Sequence, residues 1–507
     1  MTSSTLESAS TVAPTTAEPR PRTRGRLMRW SVIAAILIIG LGIRYAYLDE
    51  RTMDYTAFLS RWYDTIADNG GFSALKDKFA DYNYPYLYLI AVLTYLHIPS
   101  LVGIKAISIV FDLVLAFFAY RIVGLRTARF SVRAAALGVV FLLPSVIANS
   151  AWWGQADGIY SAFALGGIYF LLRARRDVIS SRASRIDSLW ACVFFGIALG
   201  FKLQAVFVFP VLLWLLLRRR LPWYALLAIP AVYLALDIPA LAVGADWKTV
   251  LSVYLDQTDS YKKLTLGAAN LYQLLPISGD VTWLAYAGIA TAAGLIAAFL
   301  AWSLWKRPPV TPASILVVAT ASAVVVPFLL PAMHDRYFYT AEVLSVVMAF
   351  YLPLRFILIP LLVQAAAIGV YHSSLSGDQG QGFGGGGRGG PGSGGTGSGS
   401  GRPGGMGSGG GAPSGTPGGG GPSGGNGGRP GGGGGGAPSG GPGGGGSGGY
   451  TSGRGDAMLS AYAACMAAAA VGLLYAVVDT LRRAWPSGAH RFSRPVIATT
   501  RSGRRSR

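Results

Sequence analysis

The sequence is poor in charge, in cysteine and in histidine. Of its 507 residues 13% are charged and 52% hydrophobic, about half the share of charge that a soluble domain carries. With a mean hydropathy of +0.44, that scarcity excludes an ordinary soluble enzyme. The two cysteines, Cys192 and Cys465, both lie inside apolar runs, which excludes a disulfide framework and a cysteine metal site. No His/Cys metal cluster, phosphate-cradling glycine loop or Ser–His–Asp order occurs. Lysine and arginine outnumber the acids, 43 to 23, yet their distribution argues against nucleic acid as a partner. They gather at the ends of apolar runs, as at Arg20 to Arg29, Arg121 to Arg133, Arg173 to Arg185, Arg218 to Arg220, Lys306-Arg307 and Arg482-Arg483. That pattern is the positive-inside signature of a membrane protein.

What the chain has instead is apolar runs long enough to cross a bilayer. With the basic clusters on the cytoplasmic side, spans are expected at 30–48, 103–123, 134–150, 157–172, 189–201, 203–217, 223–243, 281–304, 313–331, 337–353, 356–371 and 457–480. This gives an all-α bundle of about twelve helices with both termini cytoplasmic. Tyr86 to Leu96 is short and ends at His97-Ile98-Pro99, and reads as a half-inserted piece of the first outer loop. In that loop Phe58, Trp62 and Ile66, then Phe72, Leu75 and Phe79, suit two short amphipathic helices in the membrane interface. Leu266 to Tyr272 reads as a further interfacial helix.

The domain plan is a disordered basic tail at 1–29, a transmembrane domain at 30–375, a Gly/Pro/Ser-rich insertion at 376–455, a last helix at 456–481 and a basic tail at 482–507. The insertion is too poor in apolar residues to build a core. As a flexible chain it would reach roughly 45–55 Å, either as a neutral solubilising arm or as a tether to a cell-wall polymer or acceptor.

This topology collects the polar motifs on the outer face. The patch Ser150-Ala151-Trp152-Trp153-Gly154-Gln155-Ala156-Asp157 stands between two apolar runs. Polar and charged groups at that depth tend to face a ligand cavity. Trp153 suits sugar-ring stacking, and Gln155 and Asp157 suit hydroxyls. Asp54 follows the first span and is a candidate general base, although it also reads as a solvated loop acid like Asp49 or Glu50; Asp64 is a second candidate, placed on the helix and read as facing water. Lys202 with Gln204, and His334 with Arg336, fall at span ends where cations either snorkel or hold an anion such as a lipid phosphate. Asp112 lies mid-span and reads either as functional or as a structural hydrogen-bonding acid.

Together these residues resemble the GT-C superfamily of membrane glycosyltransferases, and within it bacterial relatives of the GPI mannosyltransferase II (PIG-V) family. The resemblance runs from about Arg44 to Tyr371 and rests on Asp54, Tyr84-Pro85, Phe111-Asp112-Leu113, Trp153-Gly154-Gln155-Ala156-Asp157, Lys202-Leu203-Gln204, Asn270-Leu271-Tyr272 and His334-Asp335-Arg336-Tyr337-Phe338. Tyr86 after Pro85, and Asp335 in place of a glutamate, depart from the pattern; the insertion has no counterpart in it. The resemblance implies a GT-C-like fold and transfer of a hexose, mannose above all, from a polyprenyl-phosphate donor to a lipid, glycan or protein acceptor outside a bacterial plasma membrane. Asp54 would be the base of a single inverting displacement. Lys202, His334 and Arg336 would hold the donor phosphate. Tyr84, Trp153, Gln155, Asp157, Gln204, Asn270 and Tyr337 would line the sugar and acceptor cavity. Many superfamily members using such donors need no metal cofactor, whereas oligosaccharyl-transferring ones bind a divalent metal through acids of the second outer loop, where Asp157 is the candidate ligand. A transporter or flippase of lipid-linked sugars, or a scaffold presenting the glycine-rich arm, is the competing reading. The gathering of polar groups at one face, without repeated halves, counts against a transporter.

Overall fold

The computed structural model describes residues 22–174, 181–259, 261–376 and 449–484. The described residues are mostly helical, with almost no strands. Helix α1 (Arg22–Tyr45) leads into a loop that holds α2 (Ser60–Asp68), followed by α3 (Tyr84–Tyr95) and α4 (Ser100–Arg126). Next come α5 (Phe130–Phe141), α6 (Pro144–Ile147), α7 (Asp157–Ala174), α8 (Arg182–Phe201), α9 (Pro210–Leu217), α10 (Trp223–Leu226), α11 (Ala228–Ala242) and α12 (Trp247–Asp259). The last five are α13 (Thr282–Lys306), α14 (Pro312–Leu329), α15 (Tyr339–Ala349), α16 (Leu358–Leu375) and α17 (Ala457–Arg483).

Prolines and caps set many of the helix starts. Pro85, Pro144, Pro210 and Pro312 occupy first-turn positions, where the missing N–H costs nothing. Thr311 and Ser314 form a reciprocal capping box, and Asp456 accepts from the Leu459 amide to start α17. Pro144 also disfavours helix at Leu143, so α5 and the segment Pro144–Trp153 meet at a bend of 45°.

Among the described residues eight helices are long and apolar enough to cross a membrane, or nine if the bent pair counts as one span. The expected count of twelve is therefore not reached. Leu203–Leu217 and Tyr339–Ala349 are too short by that measure, as is Tyr84–Tyr95, because a rise of about 1.5 Å per residue must cover about 30 Å of hydrocarbon. Helix α7 is deeply enclosed, with most of its residues buried. Its glycines let neighbours come close: Gly166 packs against Phe194 and Phe118, and Gly167 against Phe195.

Four further expectations change. The first helix begins at Arg22 rather than 30, so only residues 1–21 of the expected tail lie outside the described residues. In the first loop a π-helical turn, Tyr55–Leu59, precedes α2. Its extra residue shifts the register, so Leu59, Trp62 and Ile66 are buried while Phe58 is exposed. The second amphipathic helix is a 3-10 turn, Gly71–Lys76, with Leu75 inward. Leu266–Tyr272 is not a helix. Thr265–Leu266 is a strand paired in parallel with Met333–His334, followed by a 3-10 turn at Leu271–Leu274; the helix of that loop is α12.

The end of the glycine-rich tract is ordered, which corrects its boundary. Leu264 N–H donates to the Thr451 carbonyl at 2.9 Å, and Thr451 N–H to the Lys262 carbonyl at 2.9 Å. Gly455 N–H reaches Gln273 Oε1 at 2.9 Å. Residues 377–448 of the insertion and the tail beyond Ala484 lie outside the described residues.

Candidate functional site

The π-helical turn Ala148–Trp153 ends at Gly154 in the left-handed region, φ 75°, where glycine is at ease and other residues are strained. This turn sends Trp153 and Gln155 toward the loop after α1. Ser108 Oγ donates to the Gln155 carbonyl at 2.8 Å, and the Gln155 amide to the Asn149 carbonyl at 2.9 Å. Thr52 Oγ donates to the Trp153 carbonyl at 3.2 Å. The two loops are thereby fixed to each other, and their side chains meet at Asp54.

Three donors converge on one oxygen of that carboxylate. Trp153 Nε1 donates to Asp54 Oδ2 at 3.0 Å and Gln155 Nε2 at 2.6 Å. Arg336 Nη1 lies 3.3 Å from the same oxygen. Oδ1 has no protein donor among the described residues, and the Asp54 side chain is 29% exposed. The carboxylate is thus anchored through one oxygen and approachable at the other.

Arg336 links this acid to a second one. Its Nε lies 3.7 Å from Asp157 Oδ2, and Nη1 lies 3.5 Å from Asp335 Oδ1. Asp157 begins α7 and accepts from Lys202 Nζ at 2.5 Å and Asn149 Nδ2 at 3.0 Å. Lys202 Nζ also lies over the Tyr82 ring, 4.9 Å from its centroid. Tyr82 OH donates to Gln155 Oε1 at 3.2 Å, closing the ring of contacts.

The β-pair holds His334 beside Leu266, with its ring edge-on to Tyr261 at 4.9 Å and against Tyr337 at 5.0 Å. Burial, then the positive Arg336 and Lys202, push His334 down to about 3, so at neutral pH it presents a neutral imidazole. Burial pushes Asp335 up to about 6, against the pull of Arg336 and the Ser374 hydroxyl. Burial works against the charge of Arg336, but Asp54 and the other acids around it more than offset that and hold it well above its ordinary value. With His334 neutral, the carboxylates of Asp54, Asp157 and Asp335 face the cations of Lys202 and Arg336, so the cluster is nearly charge-balanced.

Asp54, Trp153, Gln155, Asp157, Lys202 and Arg336 are thus brought together. Tyr337 and Gln204 lie beside them, Gln204 within reach of the Tyr337 hydroxyl. Tyr84 and Asn270 join no contact of this network. Tyr84 lies toward Asp237 and Asp246, two residues past the Tyr82 that does line the site. Asn270 is buried in its own loop, Nδ2 donating to the Leu264 carbonyl at 3.3 Å. Asp112 has a structural partner: Arg44 donates to its Oδ2 through Nε at 3.0 Å and Nη2 at 2.8 Å. Tyr82, Asn149 and Arg44 are not among the residues the sequence marks, and Asp335 is marked only as a departure from the family pattern. Only Arg44 carried a readable signal, a charge inside an apolar run matching Asp112.

Asp157 does not fit the role of metal ligand. Its oxygens face Lys202, Asn149 and Arg336, and among the described residues no group of three or more His, Cys, Asp or Glu converges. A cavity lined by Leu125, Arg126, Leu172, Thr311 and Tyr351 lies at the far end of α4 and contains no acid. Comparison with protein-family models, curated proteins and solved structures finds no match.

Proposed function

We propose that the chain is a membrane glycosyltransferase that moves a hexose, mannose above all, from a polyprenyl-phosphate donor to an acceptor hydroxyl on the extracytoplasmic face. The carrying observation is the Asp54 carboxylate, locked at Oδ2 by Trp153, Gln155 and Arg336 while Oδ1 is approachable. The resemblance of the Trp-Gly-Gln-x-Asp and His-acid-Arg-Tyr-Phe elements to GT-C enzymes, and the basic clusters at the opposite ends of the apolar runs, support this reading.

Asp54 takes the acceptor's hydroxyl proton on Oδ1 as the acceptor oxygen attacks the anomeric carbon. The bond from that carbon to the phosphate oxygen breaks, and polyprenyl phosphate leaves with the electron pair. Arg336 stands between base and donor, and its Nε, buried without a hydrogen-bond partner, is a donor ready for a phosphate oxygen. Lys202, oriented by Asp157, adds positive charge nearby. Neutral His334 contributes hydrogen bonding rather than charge. Trp153, Gln155 and Tyr82 shape the wall on which the sugar lies.

Purified protein reconstituted in vesicles is expected to form a glycosidic bond from synthetic polyprenyl-phosphate-mannose and membrane-extract acceptor, read as labelled sugar leaving the donor. Movement of intact donor across the vesicle, without bond formation, would favour the transporter reading instead.

A further inference from the structure

Four aspartates are buried among the described residues. Three have a cation of the chain against them: Asp112 has Arg44, Asp157 has Lys202, and Asp187 has Arg173. Asp237 has none. It sits in α11 at 1% exposure, and neither carboxylate oxygen has a hydrogen-bond partner. An unpaired carboxylate so placed in a membrane-spanning segment is costly, and such acids are usually partnered or functional.

The surroundings supply more acceptors. Asn83, at the start of α3, is buried with its Oδ1 also unpartnered; its Nδ2 donates to the Gly200 carbonyl at 2.8 Å. Gly200, whose carbonyl takes that amide, packs against the side chain of Leu236, the neighbour of Asp237. Tyr254, its ring tilted against Tyr233 at 5.8 Å, donates to the adjacent Leu199 carbonyl at 2.5 Å. The helix is also opened here. Tyr88 OH donates to the Leu236 carbonyl at 3.0 Å and accepts from the Ala240 amide at 3.1 Å, inserting itself between two groups that a regular helix would join directly. Pro239 removes another N–H from the same turn. Interrupted membrane helices are where sodium ions are coordinated in many transporters, by backbone carbonyls of the unwound turn.

We propose that Asp237 and Asn83 form a binding site for a small monovalent cation of the sodium class, between the start of α3 and the opened turn of α11. The unpartnered atoms are all hard oxygen acceptors, which suit such an ion. One carboxylate balances one positive charge, whereas a divalent ion would leave an excess charge buried. The site backs onto the Asp54 cluster: Tyr82 and Lys202 line that cluster, while Asn83 and Gly200 line this one. It does not depend on the transferase reading, and its test needs no activity.

Full-length protein in detergent would be unfolded thermally at constant ionic strength as NaCl replaces choline chloride. The expected result is a saturable rise in unfolding temperature, on the order of 3–5 °C well above half-saturation, lost in Asp237→Asn. Equal unfolding temperatures in the two salts would overturn the proposal, as would an undiminished rise in Asp237→Asn. Should Asp237→Asn fail to fold, Asn83→Ala decides: about a tenfold increase in the half-saturating sodium concentration supports the site, and an unchanged one overturns it.

Discussion

His334 and Asp335 are neighbours with opposite titration behaviour, and this gives the protein a readable pH signature. His334 is pushed down to about 3 from its ordinary value near 6.5, so the stability tied to its neutral form is present above about pH 6.5 and is lost as pH falls toward 3. Asp335 is pushed up to about 6, so its contribution is present below its ordinary value near 3.8 and is lost as pH rises through about 6. His334→Gln should therefore help more, relative to wild type, at pH 4.5 than at pH 7. Asp335→Asn, which can keep the bond from Ser374 Oγ, should help more at pH 7 than at pH 4.5. Thermal unfolding at the two pH values checks both; shifts in the same direction would contradict the assigned environments. The residues of this cluster were legible from sequence as polar groups out of place in apolar surroundings. Tyr82 was not, because a tyrosine before a helix start looks like an interfacial anchor until Gln155 and Lys202 fold onto it.

At the scale of elements, α1 is tied to α4 by Arg44 and Asp112, both buried, with Arg44 also donating to the Gly40 and Phe141 carbonyls. Breaking such a pair from one side leaves an uncompensated charge. Asp112→Ala is expected to cost about 3–5 kcal/mol, whereas the double change Arg44→Met with Asp112→Leu should recover most of that loss. Thermal unfolding of the single and double variants measures the difference, and a double variant as unstable as the single would remove the pair as the tie. Long apolar runs announced these helices. The short irregular pieces were less visible for a physical reason. The π-helical turn at Tyr55–Leu59 depends on one extra residue, and the pairing of Thr265–Leu266 with Met333–His334 joins segments far apart in sequence. A local apolar period over Leu266–Tyr272 carries no trace of that partner.

Across the whole molecule, the described end of the glycine-rich insertion departs from what its composition suggests. Tyr450 to Gly455 read as more of the same tract, yet backbone bonds to Lys262, Leu264 and Thr265, with Arg454 donating to the Gln273 carbonyl at 2.9 Å, hold it against the loop that carries the β-pair. Deleting 381–446 should leave the unfolding temperature nearly unchanged, whereas extending the deletion through Gly455 should lower it; equal effects would contradict the docked end. Asp54→Asn removes the proposed base with the least disturbance of the site around it. The asparagine carbonyl can still accept from Trp153 and Gln155, so the wall of the site is kept while the base is removed. In that variant transfer from polyprenyl-phosphate-mannose is expected to fall by about 10²–10⁴-fold while donor binding stays within a few-fold of wild type. Undiminished transfer by that variant would contradict Asp54 as the base.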